Sequence, residues 1–246
     1  MQAWVALFKK DFKLTRSVFL AGLAMNVLMV MLTMYLGMKT EHNVLMLIPL
    51  SVAVVLHVVY VPVMVWISIR IEARQLHLWL HNPNPALTLL FSKLANGILM
   101  VMISLLMLYV MSGLLVIPGF NVMDIYGADI WKSASFAFPH IIIVSIMFAV
   151  WTLFLWAIFQ SLRFRIGRWS WAVVLGAVVI PGWVAAQFES TQLYRLMTKW
   201  GTATYHFPSF TIDPIQIHAG EYVYNLILII GLFILTAWII DNKVEV

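Results

Sequence analysis

The chain has 246 residues, of which 63% are hydrophobic and only 10% are charged, and it contains no cysteine. A soluble domain carries about 25% charged and 45–50% apolar residues, so this composition indicates a membrane protein. The lack of cysteine excludes disulfides and thiolate metal sites. The net charge of +5 comes from basic residues that flank apolar runs, which predicts contact with membrane lipid and not with nucleic acid.

The first 16 residues have an amphipathic pattern. Trp4, Phe8 and Phe12 recur every four positions, while three basic residues occupy another face of a helix. This pattern predicts an interfacial helix over residues 1–16, with its aromatic side toward the acyl chains and its basic side toward anionic headgroups. A flexible tail with ordinary anchoring charges is the alternative.

Six apolar runs follow, each close to the roughly 20 residues that cross the hydrocarbon core as a helix. None of them contains Asp, Glu, Lys or Arg. The sequence therefore predicts an all-α polytopic membrane protein with an N-terminal amphipathic interfacial helix, in which residues 1–246 form one transmembrane domain. The predicted spans are Ser17–Met38, Val44–Ile69, Leu94–Ile117, His140–Ser161, Trp171–Phe188 and Tyr222–Ile240.

Proline predicts irregularities in two of these spans, because it removes a backbone donor and clashes with the preceding turn. We expect Pro49 and Pro62 to kink the second span, and Pro181-Gly182 to break the fifth. The two longer connections, 118–139 and 189–221, are rich in aromatic residues, which favour the bilayer interface. They predict short interfacial or re-entrant helices, for example around Thr191–Lys199, with direct substrate capture as the alternative.

Orientation follows from the distribution of the 15 Lys and Arg residues. Eleven of them lie at the N-terminus, at the C-terminus or in the connections on the same side, and four lie on the other side. Cytoplasmic segments carry the excess of basic residues. This predicts an inner (cytoplasmic) membrane protein with both termini in the cytoplasm.

The sequence lacks the common motifs for nucleotide binding, zinc-dependent hydrolysis and serine hydrolysis. It contains no G-x-x-x-x-G-K-[ST] phosphate loop, no H-E-x-x-H and no G-x-S-x-G. His77 and His81 would share one helical face, but a metal site needs a third ligand, so interfacial histidines are the preferred interpretation and no metal is expected. The chain is therefore not expected to be an enzyme by itself.

Two polar residues within the predicted spans are singled out, Asn26 in the first and His57 midway along the second. Such residues often mark transport pathways, so both are candidates for a substrate path. The alternative is a neutral histidine hydrogen-bonded to a neighbouring helix. The spans lack the carboxylate relay that ion-driven transporters use, so energy for any transport would come from another subunit.

The connection from Arg70 to Lys93 reads RIEARQLHLWLHNPNPALTLLFSK. Pro83 and Pro85 stop a helix and disfavour helical geometry in the residue before each. The pattern predicts a short cytoplasmic helix ending near His81, a rigid elbow at Asn82–Pro85, and a return into the membrane. Such a protrusion could transmit a push from a partner into two spans; a simple anchored turn is the alternative.

These features resemble the permease subunits of ABC exporters of the type-2 class over the whole layout of the chain. Those proteins have an amphipathic N-terminal helix, six spans and short extracellular helices between the fifth and sixth. Between the second and third spans they carry Glu, a leucine-rich stretch, a proline and a Lys that opens the third span. Here these positions are Glu72, Leu76–Leu80, Pro83 and Lys93. The chain departs from the pattern by having Gln75-Leu76-His77 where a glycine is usual.

In that family this segment is the coupling helix, which docks onto the ATP-binding subunit. The resemblance implies a permease that forms a translocation path with a second copy or a paralogue, while separate ATP-binding cassette subunits bind ATP and Mg²⁺. The chain itself would hold no cofactor. The residues implied in docking are Glu72, Arg74, Leu76, Trp79, Leu80, Asn82 and Pro83.

Because the predicted spans contain no charged residues, they suggest an apolar or amphipathic substrate such as a peptide, a lipid or a drug-like compound. Fifteen methionines would suit an adaptable apolar surface. A membrane component that does not transport, acting as a sensor, immunity or assembly factor, is the alternative function. An intramembrane enzyme would need a cluster of polar catalytic residues that the sequence does not provide.

Overall fold

The computed structural model describes residues 2–39, 43–75, 84–114, 122–206 and 214–244. Six helices in these ranges are long and apolar enough to cross a membrane, which confirms the predicted all-α polytopic fold. The helices are α1 (Gln2–Lys39), α2 (Asn43–Leu56), α3 (Tyr60–Glu72), α4 (Ala86–Leu114), α5 (Val122–Ile166), α6 (Ser170–Glu189), α7 (Gln192–Thr198) and α8 (Ala219–Lys243), with 3₁₀ turns at His57–Val59, Ala73–Gln75 and Gly167–Trp169.

The amphipathic segment and the first span form one continuous helix, α1, without a break near residue 16. The aromatic face of its first turns packs partly against protein. The ring of Trp4 stacks on Phe8 with centroids 5.5 Å apart, and lies 6.5 Å from Phe91 of α4. The predicted segments 1–16 and 17–38 are therefore the two ends of one helix.

The second span is interrupted where a kink was predicted. Helices α2 and α3 are separated by a 3₁₀ turn at His57–Val59, and Pro62 is the third residue of α3. Its missing N–H leaves one carbonyl of the preceding turn without a helical partner, while proline is tolerated at the start of a helix. The structure therefore has an interruption just before Pro62, whereas α2 continues through Pro49 without one.

The predicted break at Pro181-Gly182 is wrong, because α6 runs without interruption from Ser170 to Glu189. One proline removes only one backbone hydrogen bond. Ending a helix inside a bilayer would expose several unpaired backbone groups to hydrocarbon, each at a cost of several kcal/mol. Continuing the helix is therefore the less costly solution in a span.

Two helices extend beyond the predicted spans at their N-terminal ends. Helix α4 starts at Ala86, ahead of the expected Leu94, and α5 starts at Val122, inside the connection expected over 118–139. Charged and aromatic residues in these stretches mark the ends of hydrophobic runs but do not stop helices. The helix expected around Thr191–Lys199 is confirmed as α7, and the Thr191 Oγ1 accepts a hydrogen bond of 3.2 Å from the Tyr194 N–H at its start.

The chain divides into two compact units, one of residues 1–75 and 88–149 and the other of residues 76–87 and 150–246. In the first unit, α1 packs along α2 and α3. Small residues allow close approach between helices, as is usual in membrane bundles. A Cβ at Gly22 would lie 2.8 Å from the ring of Tyr60, and one at Gly97 would lie 2.9 Å from Val61.

The second unit contains a small feature that was not predicted, an antiparallel hairpin of β1 (Thr202–Tyr205) and β2 (Ile215–His218). Each strand has only four residues, too few for a clear alternating pattern. The hairpin and α7 are fixed to the start of α8. Gly201 adopts a left-handed φ of 65°, and Gly220 lies directly against the carbonyl of Thr198 and the indole of Trp200.

Candidate functional site

A cluster of ion pairs lies in the first unit, where the beginnings of α1 and α4 meet the end of α3. The Lys93 Nζ lies 2.8 Å from the Asp11 Oδ1 and 2.6 Å from the Glu72 Oε2. The other Glu72 oxygen lies 2.5 Å from the Lys10 Nζ. These four residues, with Ser68 and Ser92, are called here the ion-pair cluster.

The two serines complete the coordination of the buried charges. Ser92 donates a hydrogen bond of 2.7 Å to the Asp11 Oδ2, and Lys93 donates one of 3.0 Å to the Ser68 Oγ. Ser68 in turn donates to the Asp11 Oδ1 over 3.4 Å. Hydrogen bonds of this kind to ionised groups are stronger than those between neutral groups.

Burial sets the energetic importance of these contacts. The side chains of Lys93 and Asp11 are 1% and 3% exposed, that of Glu72 is 12% exposed, and that of Lys10 is 46% exposed. An isolated charge in such surroundings would be very costly, so buried charges occur in pairs. Removing one partner of a buried pair typically costs about 3–5 kcal/mol, and the cluster should therefore hold the three helices firmly together.

Local structure explains how the sequence brings these residues together. Along α1, Asp11, Thr15 and Phe19 recur every four residues and form one buried stripe. Ser68 and Glu72 are four residues apart on α3. Because α4 begins at Ala86, Lys93 lies two turns inside the helix, where it faces the protein and not the membrane surface.

The residues implied in docking are divided by the structure. Glu72 is in the ion-pair cluster and largely buried, so it is not displayed on a protrusion. Arg74 is exposed in the 3₁₀ turn Ala73–Gln75 that follows α3. The remaining five fall outside the described residues and stay predictions: Leu76, Trp79, Leu80, Asn82 and Pro83.

The return of the connection into α4 is also fixed. The backbone N–H of Ala86, at the first position of α4, donates a hydrogen bond of 3.1 Å to the Asp241 Oδ1 of α8, within the second unit. The first amides of a helix lack partners inside the helix, and a carboxylate at that point satisfies one of them. Asp241 therefore caps the start of α4, the helix that follows the elbow predicted at Asn82–Pro85.

The two candidate path residues belong to a second network in the first unit. Asn26 donates hydrogen bonds to the Ser104 Oγ over 2.9 Å and to the Ser104 carbonyl over 3.2 Å. The His57 Nδ1 lies 2.7 Å from the Ala53 carbonyl, and the His57 Nε2 lies 2.9 Å from the Ser104 Oγ. The network joins α1 and α4 to the 3₁₀ turn between α2 and α3.

The donors and acceptors of this network fix one tautomer. A carbonyl only accepts, so the His57 Nδ1 carries the proton and donates to Ala53. The His57 Nε2 is then the acceptor for the hydroxyl of Ser104, which itself accepts from Asn26. All the groups match a neutral imidazole, which is the structural alternative given for His57; a role in a substrate path stays a prediction.

One buried amide side chain, that of Asn96, belongs to neither the ion-pair cluster nor the second network. Asn96 lies on α4 one turn beyond Lys93 and is buried, and neither its Nδ2 nor its Oδ1 makes a hydrogen bond to the described part of the chain. A buried polar group without a partner usually has an explanation in function or in an alternative arrangement. Asn96 was not among the residues predicted from the sequence.

Sequence analysis also missed Asp11, Lys10, Ser68 and Ser92. Asp11 was not assigned to either face of the predicted helix, although its spacing from Phe8, Thr15 and Phe19 places it on the apolar side. A carboxylate on the apolar face of a helix signals a buried partner, and Lys93 was the available cation. Pairing the two required knowing that α1 and α4 are neighbours.

Comparisons with known proteins add a distant relative and no family. No family model matches the chain, and no solved structure matches it. The chain is 26% identical over 256 residues to "Uncharacterized protein YhcE" of Bacillus subtilis (strain 168), a similarity that covers the full length of both proteins. This similarity gives no activity for the chain.

Proposed function

We propose that the chain is the transmembrane permease subunit of an ATP-driven exporter of the type-2 ABC class. A second permease, identical or paralogous, completes the translocation path in this proposal. Separate ATP-binding cassette subunits bind ATP and Mg²⁺ and carry out hydrolysis, since the chain has no phosphate loop. The six helices of spanning length provide the membrane part of such a machine.

The observation that carries the proposal is the attachment of the connection from Arg70 to Lys93. The connection begins beside Glu72 and ends at Lys93, and these two side chains are joined 2.6 Å apart in the ion-pair cluster. The Asp11 carboxylate on α1 also pairs with Lys93. A force applied to the connection by a partner would therefore reach the helices α1, α3 and α4 together.

This attachment changes the role proposed for Glu72. Its carboxylate is used by Lys10 and Lys93, so Glu72 anchors the base of the coupling segment and does not contact the ATPase directly. Docking in this proposal falls to the exposed Arg74 and to the predicted residues Leu76, Trp79, Leu80, Asn82 and Pro83. The Pro83 elbow would keep the segment short and stiff.

The cytoplasmic membrane with both termini inside is the proposed location, because eleven of the 15 basic residues lie on that side. The proposed substrate is apolar or amphipathic, such as a peptide, a lipid or a drug-like compound. The ion-pair cluster lies at the predicted cytoplasmic ends of the helices. The middle of the bundle then offers mainly apolar and neutral polar side chains.

Co-purification tests the proposed ATPase partner. The tagged full-length chain is extracted with a mild detergent, and ATP hydrolysis and bound subunits are measured. We expect an ATPase with a phosphate loop to be retained by the wild type and lost from the double variant Arg74→Ala/Trp79→Ala. The matched control is Arg195→Ala/Leu196→Ala, which alters an exposed basic residue and an exposed apolar residue on α7, on the opposite predicted side.

Replacement of residues 76–81 by a Gly/Ser linker is the sharper form of this experiment, because it leaves Glu72 and the ion-pair cluster intact. Loss of the ATPase with an unchanged melting temperature supports the proposal. If the linker variant keeps both the ATPase and its activity, coupling through this segment is wrong. If the wild type retains no ATPase, the alternative of a sensor, immunity or assembly component without transport is favoured.

Topology is tested separately with single cysteines in the cysteine-free chain. We expect an impermeant thiol reagent applied to intact cells to label Ser190→Cys and Thr202→Cys, which are exposed on the predicted outer side. Lys13→Cys and Trp169→Cys, exposed on the predicted inner side, should react only after the membrane is opened. The reverse labelling would overturn the proposed orientation.

A further inference from the structure

The connection from Arg70 to Lys93 has a second attachment, at the start of α4. The Ala86 N–H donates its 3.1 Å hydrogen bond to the Asp241 Oδ1 of α8, and Ala86 is 3% exposed. Ala86 and Asp241 both belong to the second unit, whereas Glu72 and Lys93 belong to the first. The connection is therefore held near its two ends by the ion-pair cluster and, just before its return, by α8.

The sequence around the start of α4 does not supply this cap. Pro85 precedes Ala86 and has no side-chain oxygen, and the first turn of α4 contains no acidic residue. The residues that usually cap a helix are Ser, Thr, Asp and Asn, whose oxygens accept from the first backbone amides. Asp241, 155 positions along the chain from Ala86, provides that oxygen through a tertiary contact.

Asp241 occupies an unfavourable position in its own helix. It lies in the last turn of α8, which ends at Lys243, and a negative charge is disfavoured at the C-terminal end of a helix. The same charge is favourable at the N-terminal end of a helix, which Asp241 meets at Ala86. The stabilising interaction of this carboxylate is therefore with α4 and not with α8.

The two residues that follow Asp241 make contacts within α8. The Asn242 Nδ2 donates a hydrogen bond of 2.9 Å to the Trp238 carbonyl, and the Lys243 Nζ lies 5.6 Å from the centre of the Trp238 ring. Asp241 instead lies one turn after Ala237, which is 3% exposed, and so it extends the buried face of α8. Asp241 thus joins α8 to the connection, while its neighbours serve their own helix.

We propose that Asp241 is a positioning residue for coupling, which ties the return of the connection to the last spanning helix. A displacement of the connection by an ATPase then reaches α8 through the bond between Ala86 and Asp241. The ion-pair cluster carries the same displacement into α1, α3 and α4. This inference rests on the proposed exporter function, and it adds α8 to the helices that the partner drives.

Hydrogen exchange of the purified full-length chain tests the contact itself. In Asp241→Ala the amides of residues 86–89 should exchange on the order of five-fold faster, because that is the usual effect of losing one helix cap. Asp241→Asn keeps an oxygen that accepts from Ala86 and should exchange only about two-fold faster, through loss of the charge. The matched control Asn242→Ala should exchange like the wild type. Wild-type exchange in Asp241→Ala would overturn the proposal.

Fluorescent labels on single cysteines test coupling in the complex that retains its ATPase. The labelled positions are Val223→Cys on α8 and Leu20→Cys on α1, which are 44% and 60% exposed. In the wild-type background we expect ATP to change the emission at both. In Asp241→Ala the change should be largely lost at residue 223 and kept at residue 20, and Asp241→Asn should restore most of it. A merely structural role would weaken both signals equally, and that result would also overturn the proposal.

Ala86→Pro removes the same bond from its other side, in case Asp241→Ala does not fold. Proline has no N–H and is tolerated at the first position of a helix. We expect the same selective loss, and the double variant Ala86→Pro/Asp241→Ala should lose no more than either single variant, because both changes remove one interaction. A full signal at residue 223 in both single variants overturns this inference alone. A wild type without a bound ATPase, or without a response to ATP at either label, overturns the proposed function together with it.

Discussion

Lys93 and Arg168 contribute equally to the charge count that orients the chain, yet the structure gives them opposite surroundings. Lys93 is 1% exposed and contacts two carboxylates and the hydroxyl of Ser68, all three from neighbouring helices. Arg168 is exposed on a short turn without an acidic residue nearby in sequence. Both lie on the predicted cytoplasmic side, so the difference concerns what each charge binds.

The comparison teaches that burial decides the role of a charge in a membrane protein. A desolvated ion pair is strongly coupled to its helices, because either partner left alone would be an uncompensated charge. An exposed arginine at the bilayer surface keeps its freedom and is available to ligands. The ion-pair cluster should therefore govern the folded structure of the first unit, whereas Arg168 should contribute little to the stability of the second.

The largest effect is expected from removing one member of the ion-pair cluster. Lys93→Met leaves two carboxylates around a neutral side chain, and we expect a loss of about 3–5 kcal/mol in the free energy of unfolding. Reversible unfolding in mixed micelles measures it. The double variant Asp11→Asn/Lys93→Met should recover a substantial part of that loss, and a cycle in which the two losses simply add would show that the pair is not coupled.

A smaller loss in the free energy of unfolding is expected when the second network, formed by Asn26, His57 and Ser104, is disrupted. Ser104→Ala removes the hydroxyl between His57 and Asn26, and a buried group left without its partner costs about 1–3 kcal/mol. The control Ser51→Ala alters an exposed hydroxyl that bonds only to the carbonyl four residues before it, and should have little effect on the same unfolding curve. Equal effects of the two variants would contradict the structural role given to the network.

The second unit offers a test of packing without charge. Gly220→Ala would place a methyl group against the Thr198 carbonyl and the Trp200 indole, and we expect a loss of about 1–3 kcal/mol from overpacking. Gly231→Ala, in the same helix with open space around its Cα, should be neutral or stabilising, because alanine favours helix over glycine. Thermal unfolding compares the two, and an equal loss would mean that the contact at Gly220 is not tight.

Substitution of Asn96 should raise the free energy of unfolding, whereas the preceding substitutions lower it. Asn96→Leu replaces a buried amide without a partner in the described part of the chain by an apolar side chain of similar volume, and we expect a gain of about 1 kcal/mol in stability. Unfolding in the same micelles provides the measurement. A loss of stability would show that the amide has a partner in the membrane, and a stable variant without activity would assign Asn96 to function.

The smallest effect on stability is expected at Arg168, in the turn between α5 and α6. In neutral detergent, Arg168→Gln should leave the melting temperature unchanged within error, because exposed substitutions away from special contacts usually have little effect. A large loss of stability would mean that the turn, like the ion-pair cluster, is part of the internal structure.

Particular residues show how far sequence analysis reached. The hydrophobic runs predicted six spanning helices because bilayer thickness dictates their length, and Pro62 correctly marked the irregular second span. Pro181 was misjudged, since a bilayer tolerates one lost hydrogen bond more readily than an open helix end. For the candidate site, Glu72 and Lys93 were identified by their pattern, but their direct contact and their joint pairing with Asp11 were not.

The sequence by itself determined the membrane class, the number of spans and the excess of basic residues on one side. These properties depend on the composition of local segments and on the solvent that each segment requires. Only the tertiary structure decided that Asp11 on α1 and Lys93 on α4 meet beside Glu72, and that Ser104 joins His57 to Asn26. Contacts between residues some 80 positions apart depend on which helices are neighbours, and local composition carries no information about that.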